Sequence, residues 1–218
     1  MKLTIVYDNE IYNKNPGTSD HGFSCFIETN EEKILFDTGT DGKILLENMK
    51  LLEKDPTTLS KVLISHEHYD HNGGVPQLIP FLPKDTTIYR LEPNNHHSPV
   101  TEKQIKEPIP ITQNISSTGR LQGSPVDEQS LLLNTKEGIV VLTGCSHPGV
   151  GHILQAAEKQ GKVIGLIGGF HGFSDLKQLE SLDFIYPCHC TAFKKEIKKK
   201  FPKTAFDCGI GRTITLET

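Results

Sequence analysis

The sequence predicts an α/β fold whose chemistry sits at the ends of strands, and three observations carry that expectation. Short runs rich in β-branched and aromatic residues alternate with segments whose apolar residues recur at helical spacing. Four strand-like runs, ending near Ile64, Leu142, Ile167 and Tyr186, pass directly into loops that contain His. Ten His in 218 residues are the informative excess of the composition.

Residues 3–7, 23–29 and 33–36 read as three strands, the last two joined as a hairpin by the polar turn Asn30-Glu31-Glu32. From Asp41 onward Leu45, Met49 and Leu52 stand at helical spacing, and Pro56 follows the end of that helix. Residues 62–64 form a short buried strand, Val75 starts a short helix with Pro76 in its first turn, and residues 86–89 make another strand. Regularity is lost over residues 92–110, where Pro93, Pro99, Pro108 and Pro110 accompany the pair His96-His97. A long unpatterned stretch in a compact domain reads as a candidate lid. Strand signals return at 131–133 and 139–142. A helix through Val150, Ile153, Leu154 and Ala157 is stopped by Gly161 and followed by a strand at 163–167. Ser174 is placed to cap a helix running to Leu179, residues 184–186 form a strand, and one more helix and strand complete the chain. No repeat and no compositional break marks a linker, so a single domain over residues 1–218 is expected, with the candidate lid at 92–110.

The balance of 23 basic against 27 acidic residues gives a net charge of −4. That excludes a general nucleic-acid binder whose affinity comes from neutralising many phosphates. No apolar run approaches the roughly 18 residues that span a bilayer, and the first residues lack the apolar stretch of a signal peptide, so a cytoplasmic protein away from the membrane is expected. Cys25, Cys145, Cys188, Cys190 and Cys208 form an odd set without a framework and read as reduced thiols. Cys188 and Cys190 lack the separation and the second pair that a structural zinc site needs. Lys194-Lys195 and Lys198-Lys199-Lys200 read as a solvated helix face.

Chemistry concentrates in Ser65-His66-Glu67-His68-Tyr69-Asp70-His71-Asn72-Gly73-Gly74. In an extended segment residues two apart project to one side, so His66 and His68 can hold one ion while Asp70 continues on that side. His71 then needs a turn, which Asn72-Gly73-Gly74 supplies through left-handed backbone angles and close approach. Strand ends on one edge bring such loops together, which adds His147 and His189 to the candidate ligands. Imidazoles with a carboxylate suit zinc, with manganese or iron as alternatives.

His66-x-His68-x-Asp70-His71, preceded by Asp37-Thr38-Gly39 and followed by His147 and His189, resembles the signature of the metallo-β-lactamase superfamily, and the resemblance covers nearly the whole chain. It implies a four-layer αββα sandwich with two divalent metal ions at one edge. His66, His68 and His147 would bind the first, and Asp70, His71 and His189 the second. Asp37 would orient a ligand from behind. More narrowly, His21-Gly22-Phe23-Ser24, Gly144-Cys145-Ser146-His147, Gly168-Gly169-Phe170-His171 and Pro187-Cys188-His189-Cys190-Thr191 are similar to one branch of that superfamily. The branch contains 7,8-dihydropterin-6-methyl-4-(β-D-ribofuranosyl)aminobenzene 5'-phosphate synthases and related metal-dependent hydrolases. One departure weakens the implication for the second metal. The Asp that bridges the two metals in the superfamily, in a Gly-Asp pair downstream of His147, is missing where this chain reads Gly168-Gly169-Phe170-His171. A hydroxide alone, Cys145 or His171 are the alternatives for its place, or only one site is tightly filled.

The expected function is that of a metal-dependent hydrolase. Metal-bound hydroxide, formed from water whose pKa is lowered to about 7, attacks a phosphoryl or carbonyl centre of a small, phosphorylated substrate. Asp70 would orient the hydroxide, and His171, outside the ligand set, would contact substrate or act as general acid. His21 is a second candidate at the same mouth. A positive dinuclear centre would draw phosphorylated small molecules to a chain of net negative charge. The rival is a metal-dependent transferase in which an aminobenzene nitrogen displaces pyrophosphate from a dihydropterin methyl carbon. A third reading is a non-catalytic metal or ligand sensor.

Overall fold

The computed structural model describes residues 1–92 and 100–218. They divide into one unit of residues 1–105 with 209–216 and a second of residues 106–208 with 217–218. The pair His96-His97 lies outside the described residues.

The first unit holds β1 (Lys2–Tyr7), β2 (Ser24–Glu28), β3 (Lys33–Phe36), β4 (Lys61–Leu63), β5 (Thr87–Arg90), β6 (Thr101–Gln104) and, from the far end of the chain, β13 (Thr213–Thr215). Their order in the sheet is β13-β1-β2-β3-β4-β5-β6. The first four pair antiparallel, and β3 through β6 run parallel. Helix α1 (Gly42–Leu51) begins where the Asp41 side chain accepts the Lys43 N–H at 2.7 Å, which satisfies one of the orphan amides of a helix start. Its Leu45 and Met49 join Val6, Phe26, Leu35 and Val62 in one core. The short helices α2 (Tyr69–Asn72) and α3 (Val75–Leu78) follow β4, and α3 packs on α1.

The second unit holds β7 (Ile109–Pro110), β8 (Ile115–Ser117), β9 (Leu131–Asn134), β10 (Ile139–Thr143), β11 (Val163–Gly169) and β12 (Phe184–Cys188), in the order β12-β11-β10-β9-β8-β7. β10, β11 and β12 are parallel, as βαβ crossovers require, and their near-continuous apolar runs are buried throughout apart from the half-exposed Phe184. Helices α4 (Val150–Glu158) and α5 (Lys194–Lys200) set Val150, Ile153, Leu154, Ala157 and Ile197 against Val141, Leu166 and Ile185. The remaining face of α5 is solvated, with Lys198 paired to Asp207 and Lys200 to Glu180. Each unit is thus a sheet with helices packed on it, in keeping with the mixed α/β class and two sheets expected.

Three local expectations are corrected. The loss of regular structure expected over residues 92–110 does not hold among the described residues, which form β6 and β7 there. β6 is a polar edge strand pinned by its parallel ladder to β5, with Val100 and Ile105 buried at its two ends. Ser174 does not cap an α-helix: the segment is a short 3-10 helix, Leu176–Leu179, with Asp175 at its N-cap, enough to bury Leu179 before the chain turns into β12. The thiols are not all reduced, because Cys188 and Cys208 form a disulfide. The chain returns alongside β12 after α5, through the Ile185–Ala205 bridge, and this brings the two cysteines together. Among the described residues no helix is long and apolar enough to cross a membrane.

Candidate metal centre

In the first unit the site is built around Asp37, which follows β3, is fully buried and takes a left-handed φ of 59°. Its Oδ1 accepts the Ser65 N–H at 2.7 Å, and its Oδ2 accepts the Ser65 hydroxyl at 2.8 Å and His71 Nδ1–H at 2.7 Å. A carboxylate can only accept, so His71 carries its proton on Nδ1 and presents the lone pair of Nε2. The same logic passes through Ser65. Its single hydroxyl proton goes to Asp37, so its oxygen accepts from His66 Nδ1 at 2.9 Å and leaves His66 Nε2 as the bare nitrogen. That nitrogen is 3.2 Å from His68 Nδ1. Two nitrogens bound to one tetrahedral zinc at ~2.0–2.1 Å would be about 3.3 Å apart, so the pair already has the spacing of two ligands.

His68 is the N-cap of α2, and Asp70 and His71 lie within that helix. The extended alternation expected through Asp70 therefore stops at His68. Gly73 and Gly74 have right-handed helical angles, so no left-handed turn delivers His71. The demand for close approach does hold. A Cβ on Gly73 would lie 2.3 Å from the Thr40 carbonyl oxygen and one on Gly74 2.4 Å from that of Thr38. Asp70 Oδ2 stands 3.5 Å from His71 Nε2 and 3.2 Å from the exposed His21 Nε2. Glu67 points elsewhere: it clamps Arg90 and accepts from Asn72 at 2.8 Å, tying the loop to β5. Burial opposes the Arg90 charge, but the Glu67 hydrogen bond and the charges of Glu67 and Glu102 outweigh it and hold the guanidinium above its ordinary pKa.

In the second unit the loop after β10 is gripped by Glu128, a fully buried residue that sequence reasoning missed. Its Oε1 accepts the Thr143 hydroxyl and the N–H groups of Gly144, Cys145 and Ser146 at 2.9–3.1 Å, and its Oε2 accepts the His147 N–H at 2.8 Å. His147 leaves this clasp with its ring centroid 5.3 Å from that of the exposed His171. His189, almost fully buried after β12, brings a ring nitrogen within 4.8 Å of Cys145 Sγ. A small pocket of about 170 Å³ opens beside His147 and His171, walled by Ser124, Gly149, Phe170 and Phe173. The larger groove of about 600 Å³ on the first unit, along Leu46, Lys50, Pro56 and Phe81, is lined by no His.

Asp37, Ser146, His171 and His189 all have φ between 43° and 61°, a region that costs non-glycine residues energy and that surrounding contacts must enforce. The structure therefore gathers His66, His68, Asp70 and His71 around Asp37 in one unit. In the other it gathers His147 with His171 and His189 with Cys145. In the first unit the donor set of imidazoles, two of them tautomer-fixed, and a carboxylate fits a zinc-type divalent cation.

Fold and donor chemistry together define a class, and comparison with known proteins agrees. The chain belongs to the metallo-β-lactamase superfamily, whose family model matches residues 17–159. It is 29% identical to the 7,8-dihydropterin-6-methyl-4-(β-D-ribofuranosyl)-aminobenzene-5'-phosphate synthase of Methanocaldococcus jannaschii, over 88% of each chain. It is 27% identical to a metal-dependent hydrolase of the β-lactamase superfamily of known structure, with a TM-score of 0.80 over 100% of both chains. A diphosphatase from the PhnP family, 12% identical over 99% of this chain and 98% of its own, shares the fold with a TM-score of 0.66.

Proposed function

We propose that the protein is a metal-dependent hydrolase acting on a small, phosphorylated substrate in the cytoplasm. His66, His68 and His147 would hold one divalent cation and Asp70, His71 and His189 a second, zinc being the favoured metal. Bound there, the cations supply Lewis-acid polarisation of the substrate oxygen and lower the pKa of water. The observation that carries the reading is the Asp37 network. One buried carboxylate fixes the tautomer of His71 directly and that of His66 through Ser65, leaving bare nitrogens where ligands are required.

The chain's own residues do the rest. Asp70, whose Oδ2 lies 3.2 Å from His21 Nε2, orients the attacking group. His171 stands beside His147 at the mouth of the small pocket and donates a proton to the leaving group or contacts the substrate. Phe170 and Phe173 give that pocket an apolar wall against which part of the substrate rests and from which water is excluded.

A transferase reading is favoured by one observation, the 29% identity to a synthase over 88% of both chains. The experiment that separates the two is a panel of phosphoesters and dihydropterin diphosphates assayed with and without an arylamine acceptor on protein of measured metal content. Hydrolysis independent of the amine supports the hydrolase. Pyrophosphate release that requires the amine replaces it with the transferase. Tight ligand binding without turnover leaves a sensor.

A further inference from the structure

The position from which a bridging Asp would emerge is closed in this chain, and the structure shows what closes it. β11 lies parallel to β10 with Gly168 opposite Thr143. A Cβ on Gly168 would stand 2.0 Å from the Thr143 carbonyl oxygen. One on Gly169 would stand 2.5 Å from that of Gly144 and 2.6 Å from Cys190 Sγ. The two strand ends meet main chain to main chain, so no side chain leaves β11 there. The neighbouring strand end supplies a donor instead. Cys145 is 3% exposed, its amide is held by Glu128 Oε1 at 3.0 Å, and its Sγ lies within 4.8 Å of a His189 ring nitrogen.

We infer that Cys145 is a thiolate ligand that shares a metal ion with His189 and takes over the role of the absent carboxylate. The inference rests on the metal centre of the proposed function and deepens it. On binding, the Cys145 S–H bond breaks, its proton leaves to solvent and a sulfur–metal bond forms, with no change of oxidation state. A buried cysteine among apolar groups is only a small hydrophobe, but beside an imidazole held at left-handed φ it is half of a ligand pair. The consequence is selectivity: a soft sulfur donor prefers zinc or cobalt and disfavours manganese or magnesium, which take oxygen ligands.

The test uses the whole protein loaded with Co(II) or Zn(II). Cobalt-loaded protein should show a near-ultraviolet thiolate-to-cobalt charge-transfer band that persists in Cys190→Ser and disappears in Cys145→Ser. Zinc X-ray absorption on the unmodified protein should show a sulfur scatterer at about 2.3 Å, a result that needs no variant to fold. Cobalt bound without the band, a band that follows Cys190, or only nitrogen and oxygen scatterers at ~2.0–2.1 Å overturns the inference while leaving the metal centre standing. Failure of the unmodified protein to bind either metal overturns the metal centre and the inference together.

Discussion

The carboxylate of Asp37 receives the Nδ1–H of His71 at 2.7 Å, with both side chains wholly out of solvent. A residue thirty-four positions earlier in the chain therefore decides which nitrogen of His71 faces outward. Replacing Asp37 with Asn keeps the shape but puts an NH2 among three donors, so the imidazole loses its enforced tautomer. Asp37→Asn should weaken metal binding by about 10–100-fold, read by competition with a chromophoric chelator. Unchanged affinity would remove Asp37 from the site.

His66→Ala or His68→Ala should remove most of the bound metal, because each deletes one of two nitrogens already at ligand spacing. His171→Ala should leave metal content near normal and lower turnover by about 10²–10⁴-fold, the range for loss of a general acid. Elemental analysis beside steady-state kinetics distinguishes the two patterns, and metal loss in His171→Ala would place that residue among the ligands.

Glu128→Gln should destabilise the fold by about 2–4 kcal/mol, since a buried carboxylate holding four amides and a hydroxyl cannot be matched by a carboxamide. Urea unfolding measures it. A loss within experimental scatter would mean the loop after β10 holds its path without the clasp.

Alkaline pH should expose the Cys25 thiol. Burial above all, with the nearby Asp37 charge adding to it, pushes its pKa well above the ordinary value of 9.0. The folded state therefore keeps a proton that the unfolded chain releases. Above about pH 9 the unfolded state binds fewer protons, and stability falls as pH rises. Below that pH the group contributes no slope. Melting temperatures between pH 7 and pH 10.5 should decline less steeply for Cys25→Ala than for the unmodified protein, and equal slopes would refute the assignment.

What the sequence made legible, it did through local rules. The first three strands, α1 and α4 declare themselves because richness in β-branched and aromatic residues and helical spacing are properties of neighbouring residues. The cluster His66 to His71 is legible for the same reason. β6 is not, because Thr101-Glu102-Lys103-Gln104 has no apolar face and is a strand only by virtue of β5 beside it. The delivery of His71 by a turn of helix is not legible either, since Asn-Gly-Gly suits a left-handed turn as well as a close crossing. Glu128 escapes notice because its partners lie 15 to 19 residues away and four of the five are main-chain amides, which leave no mark on residue type. The Cys188–Cys208 pairing is hidden by an odd cysteine count.

The Glu128 grip is indifferent to side-chain identity, because at position 145 it fastens only the peptide nitrogen. That position is therefore an exchangeable socket on a rigid mount. Swapping its sulfur for the hydroxyl of a serine would leave that amide bond in place and exchange only the donor atom offered to a metal.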